Sequence, residues 1–138
     1  MKNRNSYFMN KAKQLAKQAM DKNEIPVGAV VVDEDKIIGQ GFNSQVVLND
    51  PTGHAEIAAL RDACKNKQNF RLDGAEMYVS VKPCAMCREA IKRARIEKVY
   101  YAAGQAKEST HNPEYINIKE FRDKGSDMIR EFFAGKRE

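Results

Sequence analysis

The chain has 138 residues, the size of one ordinary domain, and 42% of them are hydrophobic, enough for a real core. Its opening residues do not resemble a signal peptide, and its longest strongly apolar stretch, Val27–Val32, is far too short to span a bilayer, so no membrane role and a cytoplasmic location are expected. A net charge of +5 suits a polyanionic partner such as RNA without requiring one.

From Ser6 to Asp21, apolar residues recur at Phe8, Ala12, Leu15, Ala16 and Ala19, one face of a helix with lysines opposite. Asn23–Pro26 breaks it. The β-branched run Val27–Val32 predicts a buried strand, Asp33–Lys36 a turn, and Ile37–Phe42 a second strand closing a hairpin. Asn43–Gly53 is rich in loop formers. A helix is expected over His54–Lys65, then a loop ending at Gly74, and a central strand over Ala75–Val81. Pro83 suits the start of a helix reaching Ala94. Ile96–Ala102 reads as a strand, Tyr115–Ile118 as a short strand and Asp127–Ala134 as a terminal helix. This alternation predicts an α/β fold in one domain over residues 1–138: a three-layer α/β/α arrangement around a central mixed sheet of about five strands.

Two short motifs carry chemistry: His54-Ala55-Glu56, and Pro83-Cys84-Ala85-Met86-Cys87 about 30 residues later. On a helix, Cys84 and Cys87 share one face. His54 comes from a different helix start. Packed side by side, the two starts bring one imidazole and two thiols together, leaving the fourth position of a tetrahedral ion open, as in a catalytic zinc site. Helix N-termini also favour thiolates. Glu56 is not needed as a ligand. Zinc lowers the pKa of a bound water from about 15.7 to about 7. A carboxylate beside that water can accept its proton and return it to a substrate. Taken alone, the C-x-x-C also fits a redox pair, or half of a structural zinc site whose second C-x-x-C the sequence lacks; His54 alone fits a structural histidine. Cys64 fits a small buried hydrophobe.

The spaced pair of motifs is the established signature of zinc deaminases acting on nucleobases. The chain resembles the cytidine deaminase-like superfamily and, within it, bacterial tRNA-specific adenosine deaminases. The likeness runs through Glu24-Ile25-Pro26-Val27-Gly28-Ala29-Val30, Gly41-Phe42-Asn43, Asp50–Glu56, Arg71–Ala75 and Ile129–Phe133. The resemblance implies one zinc per chain on His54, Cys84 and Cys87, with Glu56 as proton shuttle. It implies that Asn43 hydrogen-bonds the substrate, although a turn role also fits. The backbone N–H groups of Ala55 and Cys84, at helix starts, are expected to face the bound water or leaving group. It also implies a homodimer acting on a tRNA anticodon stem-loop.

The sequence departs from that family at Lys82, where Glu usually precedes Pro-Cys, and in a short Gly104–Pro113 segment bearing His111. These departures, with Asn49-Asp50-Pro51-Thr52 and Tyr100-Tyr101-Ala102-Ala103, leave room for a deaminase of a free base or nucleoside such as guanine. A zinc-stabilised RNA-binding subunit without activity is a third reading, weakened by the intact H-x-E. Arg88, Lys92, Arg93, Arg95 and Lys98 could hold RNA phosphates, or form a solvated face with Glu89 and Glu97. Phe132 and Phe133, ahead of Lys136 and Arg137, could contact RNA, or anchor the last helix.

Overall fold

The computed structural model describes residues 2–104 and 112–136 of the chain. Helix α1 spans Lys2–Asp21, and the hairpin strands are β1 (Gly28–Asp33) and β2 (Lys36–Phe42). A short helix α2 (Gln45–Leu48) lies in the loop before α3 (Ala55–Lys67). Strand β3 (Glu76–Val81), helix α4 (Ala85–Arg93), strand β4 (Lys98–Ala103) and strand β5 (Glu114–Asn117) follow. A 3-10 turn over Lys119–Phe121 leads into α5 (Arg122–Lys136).

The sheet order is β2-β1-β3-β4-β5. β1 runs antiparallel to both β2 and β3, while β3, β4 and β5 are mutually parallel. This is the mixed five-stranded sheet expected from the sequence. Alternation along the strands builds two cores. Ala29, Val31, Met77, Val79, Val99 and Tyr101 meet Ala55, Ala59, Leu60, Ala63 and Ile91 of α3 and α4. Val30, Val32, Tyr78, Tyr100 and Ala102 meet Phe8, Met9, Ala12 and Leu15 of α1, with Ile118 and Phe121. Tyr78 and Tyr100, in register on β3 and β4, stack at 4.6 Å.

Two glycines set how closely α3 approaches the sheet. A Cβ on Gly39 would lie 2.5 Å from both Ala59 O and Ala63 N, and one on Gly41 2.5 Å from Ala58 Cβ. β2 therefore presents bare backbone to the helix that carries His54 and Glu56.

The element boundaries differ from the sequence-based ones at several ends. α1 begins four residues before Ser6. Its first turn is held by Arg4, which bonds Asp35 and, at 2.8 Å, Tyr78 Oη, and pairs with Glu76 at 3.0 Å. α4 begins at Ala85 with extended Cys84 as its N-cap, so Pro83 precedes the helix instead of opening it. β4 starts at Lys98, because Arg95 takes a left-handed backbone conformation (φ +69°) after α4. α5 begins five residues before Asp127. Among the described residues no helix is long and apolar enough to cross a membrane. His111, Arg137 and the Lys136 side chain lie outside the described residues.

Candidate metal centre and substrate cavity

Both helices that bear the site enter it N-terminus first. His54 is the N-cap of α3 and Cys84 the N-cap of α4, both with extended backbone. Neither side chain caps its own helix, and both instead face each other across the helix starts. His54 Nδ1 lies 3.6 Å from Cys84 Sγ and 3.5 Å from Cys87 Sγ, and the three ligand atoms are all within 4.8 Å of one another. A tetrahedral zinc with Zn–N near 2.0–2.1 Å and Zn–S about 2.3 Å requires N···S separations of about 3.5 Å. The donor set and its spacing therefore fit one such ion. Burial, then the neighbouring Glu56 and Cys84, pushes the buried Cys87 thiol up. A divalent cation among the three ligand atoms reverses the sign of that local field and favours the thiolate.

Glu56 sits in the first turn of α3, only 3% exposed. Burial raises its carboxyl to about 7, against the lowering effect of hydrogen bonds from its own backbone N–H and from Cys87. A group balanced near neutrality can both accept and return a proton.

A cavity of about 190 Å³ opens beside this cluster. Its polar lining comes from Asn43, Gln45, His54, Glu56, Lys82 and Cys84, and Ile25, Val27 and Val81 form its apolar wall. Asn43 is buried, and its Oδ1 accepts the Ala55 N–H at 3.0 Å. The Ala55 N–H, expected from the sequence to face a bound water, is thus engaged by Asn43. Asn43 lines the cavity, and its Oδ1 braces the start of α3, a contact that neither the substrate role nor the turn role weighed for it anticipates. Lys82 lies on the cavity wall with its ammonium 5.4 Å from the centre of the Tyr101 ring, and its backbone N–H donates to Ala103 O at 2.8 Å.

The basic residues of α4 are outside this cavity. Arg88 lies over the Tyr115 ring at 5.4 Å, Arg93 pairs with Glu89 at 3.4 Å, and Lys92 is exposed. Arg88 and Lys92 line a separate groove of about 310 Å³ with Pro113 and Tyr115. On α5, Phe132 and Phe133 meet edge to face at 5.3 Å; Phe132 is half-buried and Phe133 is 47% exposed. One ring is thus partly shielded and the other reaches solvent.

Sequence reasoning gave no structural role to Glu24 and passed over Gln45 altogether. Glu24 is buried, and its carboxylate accepts the N–H groups of Val46 and Val47 at 3.1 and 2.8 Å. No local pattern marks a contact spanning 22 residues; only the charge beside Ile25-Pro26, ahead of a buried strand, stood out of place.

Residues 2–103 match the model of a family described as the cytidine and deoxycytidylate deaminase zinc-binding region. A tRNA-specific adenosine deaminase from Buchnera aphidicola subsp. Schizaphis graminum is 38% identical over 148 residues, spanning 98% of this chain and 97% of that relative. A solved structure from a study of A-to-I editing by tRNA:A34 deaminases at the wobble position of transfer RNA matches with a TM-score of 0.75 at 36% identity, covering 81% of this chain and 97% of that one. The X-ray structure of guanine deaminase from Bacillus subtilis matches with a TM-score of 0.68 at 42% identity, covering 71% of this chain and 63% of that one.

Proposed function

The chain belongs to the cytidine and deoxycytidylate deaminase zinc-binding family, and from that premise we propose that it is a hydrolytic deaminase converting adenosine to inosine at the wobble position of tRNA. The observation that carries the chemistry is the convergence of His54 Nδ1, Cys84 Sγ and Cys87 Sγ at one cavity with the buried Glu56. The near full-length likeness to a tRNA-specific adenosine deaminase supports the substrate.

His54, Cys84 and Cys87 hold one zinc ion in this reading, which when bound supplies a water acidified towards neutral pH. Glu56 takes the proton from the attacking water on a carboxylate oxygen and delivers it to N1 of the adenine. The oxygen adds at C6, a second proton passes through Glu56 to the exocyclic amine, and ammonia leaves. Adenosine and water thus become inosine and ammonia. Asn43, with its Oδ1 engaged by Ala55, offers Nδ2 to an acceptor on the base. The apolar wall of Ile25, Val27 and Val81 contacts the base and excludes water from the reacting centre. The target base leaves its loop to enter the cavity. Arg88, Lys92 and Arg93 contact RNA phosphates, and Phe132 and Phe133 form an aromatic contact beside them. The reading includes a homodimer in the cytoplasm; elution as a 15.6 kDa monomer at micromolar concentration counts against the dimer.

Ammonia release by zinc-loaded protein tests the assignment, comparing an anticodon stem-loop carrying A at the wobble position with free adenine, adenosine, guanine and cytidine. Turnover of the stem-loop alone is expected. Turnover of guanine alone supports the second reading, a free-base deaminase, which the 42% identity to Bacillus subtilis guanine deaminase and the presence of Lys82 on the cavity wall favour.

A further inference from the structure

Two amide side chains, Gln45 and Asn43, form a directed hydrogen-bond series that ends at the substrate cavity. Gln45 Nε2 donates to Pro51 O at 3.1 Å, which turns its Oε1 toward Asn43. Asn43 Nδ2 donates to that Oε1 at 3.3 Å, and Asn43 Oδ1 accepts the Ala55 N–H at 3.0 Å. The orientation of each amide is therefore fixed by the one before it. One hydrogen of Asn43 Nδ2 is used by Gln45, and the other is available on a residue that lines the cavity.

The series depends on where α2 sits. A helix of four residues cannot hold itself in water. Val46, Val47 and Leu48 are each at least 60% exposed, so no apolar burial holds it either. What holds it is Glu24, 2% exposed, which receives one backbone N–H on each carboxylate oxygen. Burying a carboxylate is expensive unless charge-assisted hydrogen bonds offset it. Here both bonds go to the turn that carries Gln45.

We propose that Glu24 and Gln45 are positioning residues for substrate binding: Glu24 anchors α2, and Gln45 orients the Asn43 amide so that its second Nδ2 hydrogen meets an acceptor on the base. The inference rests on the deaminase reading of the cavity. Neither residue touches the reacting atoms, so their effect falls on KM more than on kcat.

Three variants test it: Glu24→Gln, which keeps the volume but sets an NH2 against a backbone N–H; Gln45→Leu, which removes the acceptor for Asn43; and Gln45→Glu, which restores that acceptor but gives up the donor to Pro51 O. Turnover is followed with whichever base the wild-type protein deaminates, so a failure of the tRNA reading leaves the comparison standing. Glu24→Gln is expected to speed amide exchange at Val46 and Val47 at least tenfold and to raise KM roughly tenfold, the scale of a lost hydrogen bond to a charged group. Gln45→Leu is expected to raise KM roughly fivefold with a smaller change in kcat, and Gln45→Glu to recover part of that loss. Because the residues act in series, the double variant Glu24→Gln/Gln45→Leu should resemble the worse single variant. A double variant whose KM rises by the product of the single effects overturns the proposal. So does faster exchange at Val46 and Val47 with KM within twofold of wild type. Should Glu24→Gln fail to fold, an equal KM for Gln45→Leu and Gln45→Glu overturns it alone.

Discussion

Replacing Gly41 with alanine should uncouple two properties that a bare strand surface keeps together. The added Cβ would lie 2.5 Å from Ala58 Cβ, 2.7 Å from Ala59 N and 2.8 Å from Ala55 O. Carbon atoms settle at about 3.5–4.0 Å, so the first turns of α3 must move away by about 1 Å. Two of the opposing atoms are backbone, and no rotamer change relieves them. Overpacking of this kind costs about 1–3 kcal/mol. With an unfolding entropy of about 0.3 kcal/mol/K for a chain this long, a loss of 2 kcal/mol lowers Tm by about 7 °C. The displaced turn also carries His54 and Glu56, so zinc affinity should fall roughly 10–100-fold, as when other supports of a ligand are removed. Gly39→Ala is the control. Its Cβ meets Ala59 O and Ala63 N, further along α3, and it should cost similar stability while zinc affinity stays within about threefold. Thermal unfolding of metal-free protein and chelator competition read the two effects. A Tm for Gly41→Ala within about 2 °C of wild type refutes the steric reasoning. Equal zinc loss in both variants refutes the local coupling to the site.

Glu56→Gln should retain one zinc per chain by elemental analysis while turnover falls about 10²–10⁴-fold, because the amide cannot carry the proton. Chelation should abolish turnover; restoring zinc to 100 times its Kd should raise Tm by about 9 °C, and Cys87→Ser should lose that response. If the stem-loop is the substrate, its affinity should weaken linearly in log salt, and Lys92→Gln should flatten the slope by about 0.7–0.9. An unchanged slope returns Lys92 to ordinary surface.

The candidate metal-ligand group was legible because such chemistry dictates residue type and spacing together: an imidazole two residues before a carboxylate, and two thiols three apart, each at a helix start. The hairpin and the central strands were legible because runs such as Val27–Val32 have no other way to be buried. What escaped were contacts without a period. Nothing near Ser6 announces that the turn before it is helical; Arg4 extends α1 by reaching Asp35, Tyr78 and Glu76. Gly125 and Ser126 argue against helix, yet α5 runs through them. The N–H of Ala55 was assigned outward because helix starts leave such groups unpaired, and it is a neighbouring side chain that takes it. The role of Glu24 was invisible for the same reason: a buried charge declares only that it must have partners, not which.

The placement of the chemistry at one end of the sheet has a consequence for how this scaffold tolerates change. Asn43 follows a strand, Val81 ends one, and His54 and Cys84 open helices at that end, whereas the 68–74 connection lies where α3 finishes, at the other. A Cβ on Gly74 would meet nothing within 4 Å. Lengthening that connection adds only about 0.6 kcal/mol for each doubling of its length. The distal rim is therefore where this lineage can acquire an appended module, or an experimenter a reporter, while the reactive rim stays under selection by its own geometry.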